Sequence, residues 1–140
     1  MHSLVTPFSE RTVVRGRSFG LSHCGFDVRI AESMTLEPGE FRLASTIEHF
    51  SFPLDLVGLL KDKSSWARQG LSVFNTVFEP GWRGHATLEL ANHGPNNVLI
   101  LGGDPIAQMI FTKLVEPTES AYAGKYQDQE AGPQEARLEQ

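Results

Sequence analysis

His85-Ala86-Thr87-Leu88-Glu89-Leu90-Ala91 alternates between two kinds of residue, with Ala86, Leu88 and Leu90 on one parity and His85, Thr87 and Glu89 on the other. A β-strand sends successive side chains to opposite faces, so the first set belongs to a core and the second to its outer side. A glutamate on an outer face meets water unless something covers it. Three further strand-like runs surround this one, Leu71 to Phe78, Asn97 to Leu101 and Ile106 to Leu114. They are separated by Pro80-Gly81, His93-Gly94-Pro95-Asn96 and Gly102-Gly103-Asp104-Pro105, all turn chemistry. Upstream, Phe26-Asp27-Val28-Arg29-Ile30 alternates in the same way, Glu37-Pro38-Gly39-Glu40 reads as a turn and Phe41 to Leu43 as another strand. Pro53 inside the apolar stretch Ile47 to Leu60 predicts strand, bend, strand rather than one helix. Only Lys61 to Gly70 reads as helical, about two turns, with Asp62 and Ser64 as caps and Gly70 as the stop. The pattern predicts an all-β sandwich, jelly roll or barrel with one short helix.

The chain's 140 residues are one domain's worth of polypeptide. Residues 1–115 carry the strand pattern, and from about Glu116 the sequence turns polar, so residues 116–140 are expected to form a flexible C-terminal tail. Twelve Lys and Arg against seventeen Asp and Glu give a net charge of -5, which leaves no overall positive field for duplex nucleic acid. One cysteine, Cys24, precludes an internal disulfide framework and any zinc site built on paired cysteines. The H-x-E and P-C-x-x-C pattern of zinc-dependent base deaminases is absent as well. Five scattered histidines show no metal-ligand spacing. No apolar run is long enough to span a membrane and residues 1–10 lack a signal-peptide stretch, so the expected setting is soluble and cytoplasmic.

Lys63, Ser64, Ser65 and Arg68 cluster on the one helical element. Hydroxyls at a helix start ordinarily cap backbone amides, and an Arg on a short helix is ordinarily a surface residue. The same set suits an anion, because free N–H groups, hydroxyls and an ammonium can converge on phosphate oxygens. Trp82, after Pro80-Gly81, suits a core or rim position, and equally a ring presented to a sugar or base.

Taken together, Lys63-Ser64-Ser65-Trp66-Ala67-Arg68-Gln69-Gly70, Glu79-Pro80-Gly81-Trp82-Arg83-Gly84-His85-Ala86-Thr87-Leu88-Glu89-Leu90, Ile106-Ala107-Gln108-Met109-Ile110-Phe111 and Gly124-Lys125-Tyr126-Gln127-Asp128-Gln129 resemble, in order, the motifs of the dCTP deaminase family, which belongs with the trimeric dUTPases. Phe26 to Ile30 resembles that family's early Y-D-L-R-L motif, so the likeness runs from about Phe8 to Gln129. The resemblance implies a distorted β-barrel of the dUTPase type, a homotrimer with active sites at subunit boundaries, and conversion of dCTP to dUTP and ammonia without zinc. It implies Glu89 as general acid/base, with Ser64 and Arg68 lining the site around the attacking water and base. Lys63, Ser64 and Ser65 match the segment that grips the triphosphate, which carries Mg2+. Lys125 and Gln129 match tail residues that close over the nucleotide, with Tyr122 in the same lid. Trp82 takes the place of the ring packed on deoxyribose, and Gln108 that of a residue supporting the phosphates or the subunit contact.

Departures matter too. The base-recognition hairpin between Arg68 and Trp82 is about two residues shorter than the family pattern, with Thr76-Val77-Phe78-Glu79 where T-A-G-F-I-D or a relative is expected. Glu79 stands where dUTPases and bifunctional deaminases carry the Asp that activates the hydrolytic water, so continuation to dUMP and pyrophosphate is in question. The family's leading helical segment has no counterpart before Phe8. Two alternatives remain, a dUTPase that never deaminates and an inactive nucleotide-binding regulator; dTTP is a further expected ligand, as feedback inhibitor.

Overall fold

A computed structural model describes residues 3–139. Its strands are β1 (Val5–Thr6), β2 (Thr12–Val14), β3 (Arg17–Leu21), β4 (Gly25–Arg29), β5 (Met34–Leu36), β6 (Phe41–Ser51) and β7 (Leu56–Asp62). After the single helix, α1 (Ser64–Ala67), come β8 (Leu71–Val73), β9 (Val77–Phe78), β10 (Arg83–Asn92), β11 (Val98–Ile100) and β12 (Pro105–Lys113). They form a four-stranded sheet in the order β1-β6-β10-β8, a six-stranded sheet β2-β3-β4-β12-β7-β9 and a small pair β11-β5. Every named pairing is antiparallel, and the fold is all-β.

The core is filled from both large sheets by Phe26, Val28, Leu60, Ile106 and Met109 on one side and Phe50, Ala86, Leu88 and Leu90 on the other. Burial of this apolar surface is the main driving term for the fold. Phe52, Phe78, Trp82 and Phe111 close one end as an aromatic cluster, with ring centroids of 5.1 to 6.4 Å. The alternation in β10 holds: Ala86, Leu88 and Leu90 are fully buried, whereas His85, Thr87 and Glu89 are half-buried. A register slip between His85 and Thr87 is stitched by Thr46, whose hydroxyl accepts the Ala86 N–H at 3.0 Å and donates to the Glu48 carbonyl at 2.8 Å.

Three local expectations are corrected. The helix is four residues long, and Lys63 occupies its N-cap position with no side-chain cap bond, so neither Asp62 nor Ser64 caps it. Asp62 instead accepts the Val73 N–H at 2.6 Å, tying the helix approach to β8. The run Leu71 to Phe78 is not one strand: β8 pairs with β10, β9 pairs with β7, and the chain crosses between sheets at Phe74 to Thr76. The short strand predicted at Phe41 to Leu43 extends to Ser51 because the alternation continues through Ala44, Thr46, Glu48 and Phe50, all buried. Glu48 hides this pattern in the sequence. Its carboxylate is held at 2.8 Å by both the Arg29 N–H and the Arg29 guanidinium, which supplies the partners a buried charge requires.

The polar stretch after β12 carries no named strand, yet it folds back onto β10. Gln129 forms an isolated bridge with Gly84 and exchanges bonds with the His85 main chain. A Cβ at Gly84 would stand 2.7 Å from the Gln129 nitrogen, so glycine is what lets the tail lie this close.

Candidate active site

Local chain geometry gathers the cationic and hydroxyl groups around the start of α1. β7 ends at Asp62, Lys63 is extended, and the chain then turns so that Ser64 and Ser65 are exposed beside β12 and the β2–β3 hairpin. Trp66 anchors the turn, being buried and donating its indole N–H to the Pro105 carbonyl at 2.7 Å. The result is a cavity of about 430 Å3 lined by Arg11, Arg17, Ser18, Asp27, Asp62, Lys63, Ser64, Ser65 and Gln108, among others. Lys63 bonds Asp27 at 2.7 Å, and both side chains are largely buried. The other Asp27 oxygen is buried with no hydrogen-bond partner. Gln108 reaches Ser22 at 2.8 Å. Four expected site residues, Lys63, Ser64, Ser65 and Gln108, therefore share one cavity.

Glu89 does not line this cavity. It faces Leu43 on β6, and its carbonyl accepts the Phe74 N–H at 3.0 Å, which draws the crossing between β8 and β9 alongside. One carboxylate oxygen is buried without a partner. Burial pushes its pKa up, and a bond from its own main-chain amide pulls it partly back. Phe41 and Phe74, with rings 5.8 Å apart, stay about half exposed near this carboxylate, and Val77 in β9 is 58% exposed.

Arg68 ends α1, exposed, and its side chain has no partner among the described residues. Thr76 is half-buried, its carbonyl accepting from Leu60, and Glu79 is exposed. Trp82 is only 4% exposed: its ring faces Phe52 and Phe78, and its indole N–H reaches the Tyr126 carbonyl at 2.7 Å. Its contacts are with core and tail, not with the cavity. In the tail, the Tyr122 hydroxyl accepts the Tyr126 N–H, Lys125 pairs with Glu139 at 3.3 Å, and Gln129 is buried against β10. None of Tyr122, Lys125 and Gln129 lines the cavity.

Residues 22–114 match the dCTP deaminase-like family. The chain belongs to it. A dCTP deaminase of Campylobacter fetus subsp. fetus is 34% identical, over 92% of this chain and 87% of its own length. That of Acidobacterium capsulatum is 32% identical, over 93% and 89%. Among solved structures, the EIAV dUTPase superposes with a TM-score of 0.65 at 19% identity, covering 85% of this chain and 94% of its own. A point mutant of the dUTPase from phage phi11 of S. aureus gives 0.63 at 18% identity, covering 89% and 95%. At such identities the two structures establish the dUTPase-like fold of this deaminase-family chain.

Arg11, Arg17 and Asp27 were not singled out in the sequence as site residues. Arg11 and Arg17 lie before the matched residues and are brought to the cavity by a hairpin whose pairing no local motif announces. Among the described residues no helix is long and apolar enough to cross a membrane, and no group of three or more His, Cys, Asp or Glu side chains could hold a metal.

Proposed function

We propose that this enzyme hydrolyses dCTP to dUTP and ammonia, with Glu89 as the proton shuttle and no zinc. The carrying observation is the Glu89 carboxylate, half-buried, with one oxygen desolvated and unpartnered and its pKa raised. Such a group can take a proton from water and return it, since its two protonation states lie closer in energy near neutral pH than those of an exposed carboxylate. Water adds through oxygen to C4 of the pyrimidine as Glu89 removes one proton and delivers it to N3. The C4–N bond then breaks, and water's second proton leaves on the departing ammonia. Arg68 and Ser64 orient the water and the base.

Ser64 lines the Lys63 cavity and Glu89 does not, which supports a site completed at a boundary between copies, in a homotrimer. The half-exposed Phe41 and Phe74 beside Glu89, and the exposed Val77, are surface that such a boundary would cover. The Lys63 cavity takes the triphosphate, with Lys63, Ser64, Ser65 and Gln108 as its walls. Mg2+ bound to the phosphates neutralises part of their charge. The orphaned, buried Asp27 oxygen in the cavity wall is the acceptor that fits water around that ion. Thr76 and Val77 border the base, Trp82 braces the sugar side of the hairpin, and Tyr122, Lys125 and Gln129 belong to the segment that closes the site.

Incubating the protein with dCTP, dUTP and Mg2+ and identifying every product tests this. Ammonia and dUTP are expected from dCTP. Pyrophosphate would show that Glu79 supports the hydrolytic continuation to dUMP, and conversion of dUTP alone would replace deamination by the dUTPase reading. Binding of dCTP or dTTP without any product would leave a regulatory homologue.

A further inference from the structure

We infer that Arg17, assisted by Arg11, is a phosphate-binding residue of the Lys63 cavity and gives the site its preference for a triphosphate over a monophosphate. The inference rests on the nucleotide reading above but concerns residues that the family match does not cover.

Arg17 opens β3, and its Nε donates to the Ser65 hydroxyl at 2.8 Å. Its guanidinium lies 3.6 Å above the Trp66 ring. Stacking on a buried indole fixes the guanidinium plane, and the Nε bond fixes its rotation about the stem. The two Nη groups are left without a partner among the described residues. A pre-oriented fork with free N–H groups is the donor geometry that matches phosphate oxygens, at a lower entropic cost than a flexible side chain pays.

The neighbouring charges sharpen the point. Arg15, two residues earlier in the same hairpin, is neutralised by Asp104 at 2.6 Å and also reaches the Gly102 carbonyl. Asp104 spends its second oxygen on the Leu101 N–H. In the cavity wall, Lys63 is matched by Asp27, and Asp62 is bonded to Val73. Arg17 and Arg11 are thus the cavity's cations without a carboxylate in contact among the described residues, Arg11 being exposed at its rim. Ser65, a hydroxyl of the expected triphosphate segment, is already in hydrogen-bond contact with Arg17, so an anion on Ser65 meets the fork as well.

The test titrates the full chain with dCTP, dCMP and inorganic tripolyphosphate, each with Mg2+, and measures ammonia release from dCTP in parallel. Arg17→Gln should weaken dCTP and tripolyphosphate by about 10- to 100-fold and dCMP by less than about 3-fold, with the catalytic loss falling on KM rather than kcat. Arg17→Lys should recover part of that loss, and Arg11→Gln should show a smaller effect of the same kind. Equal losses for dCMP and dCTP, the signature of a residue that merely props Ser65 and Trp66, would overturn the assignment. So would wild-type protein that fails to bind tripolyphosphate. Should Arg17→Gln not fold, Arg17→Lys decides: about 3- to 10-fold weaker tripolyphosphate binding is expected, and none overturns it. The two readings fail separately. Wild-type protein that releases no ammonia, yet binds tripolyphosphate in an Arg17-dependent way, sinks only the deaminase reading. Normal turnover with an unchanged KM in Arg17→Gln sinks only this one.

Discussion

The outer face of β10 and the cavity at α1 differ in how they treat a buried carboxylate, the first leaving it without a cation and the second pairing it with Lys63. At Glu89 a single carboxylate is desolvated with one oxygen unsatisfied, offset in part by its own main-chain amide and by no cation among the described residues. At the cavity an Asp27 oxygen is also unsatisfied, but Asp27 is matched by the Lys63 ammonium, Asp62 by a backbone amide, and Arg17 by a hydroxyl and an indole. The first arrangement raises a carboxyl's pKa so that it can both take up and return a proton; the second holds fixed charges in place for an anion. Chemistry and binding therefore make contrary demands on stability, and substitutions can separate them.

Glu89→Gln is the sharpest test. It removes the proton acceptor while keeping volume, so ammonia release should fall by about 100- to 10,000-fold with dCTP affinity nearly unchanged. Substantial residual turnover would break the contrast at its chemical end. Lys63→Ala strikes the other end, leaving Asp27 buried beside its lost partner. Stability should drop by about 3 kcal/mol in denaturant titration, together with weaker dCTP binding. Little change in either would mean that the pair is not the fixed charge described.

The third prediction uses the sign of the Glu89 shift. Its folded pKa lies above the ordinary 4.5, so the native state binds the proton more tightly than the unfolded chain does. The stability this group contributes is full below 4.5 and is lost as pH rises through the folded value. Glu89→Gln should therefore melt higher than wild type at neutral pH, with the gap closing in acid. A gap of opposite sign would contradict the desolvation. The activity's acidic limb should likewise lie above the usual carboxylate range, because a general base must be ionised. Smallest of all is Asp128→Asn on the tail. Asp128 and Arg83 form an exposed pair at 2.9 Å, and loss of it should leave melting unchanged within error.

Much of this was legible without coordinates. The period of two in β10 set Leu88 and Leu90 against Glu89, and Pro53 marked the break between β6 and β7, because both signals act between residues adjacent in the chain. The crossing of Phe74 to Thr76 between sheets was hidden, since Leu71 to Phe78 is apolar enough to read as one strand and only the pairing partners differ. Glu48 was hidden for the converse reason. A buried carboxylate looks like a surface residue until Arg29, from another strand, is known to meet it. The same holds for Arg17, which carries no local signal and becomes informative only when Ser65 and Trp66 lie beside it.

The sequence by itself determined an all-β chain of the dCTP deaminase family, with a glutamate on the outer face of one strand and a Lys-Ser-Ser turn. Alternation, turn residues and motif order are properties of neighbours along the chain. Only the tertiary structure decided which charges are paired, which carboxylate oxygens are left without a partner, and that Glu89 does not line the Lys63 cavity. Desolvation and charge pairing depend on what a side chain meets across space, and residues far apart in sequence supply those contacts.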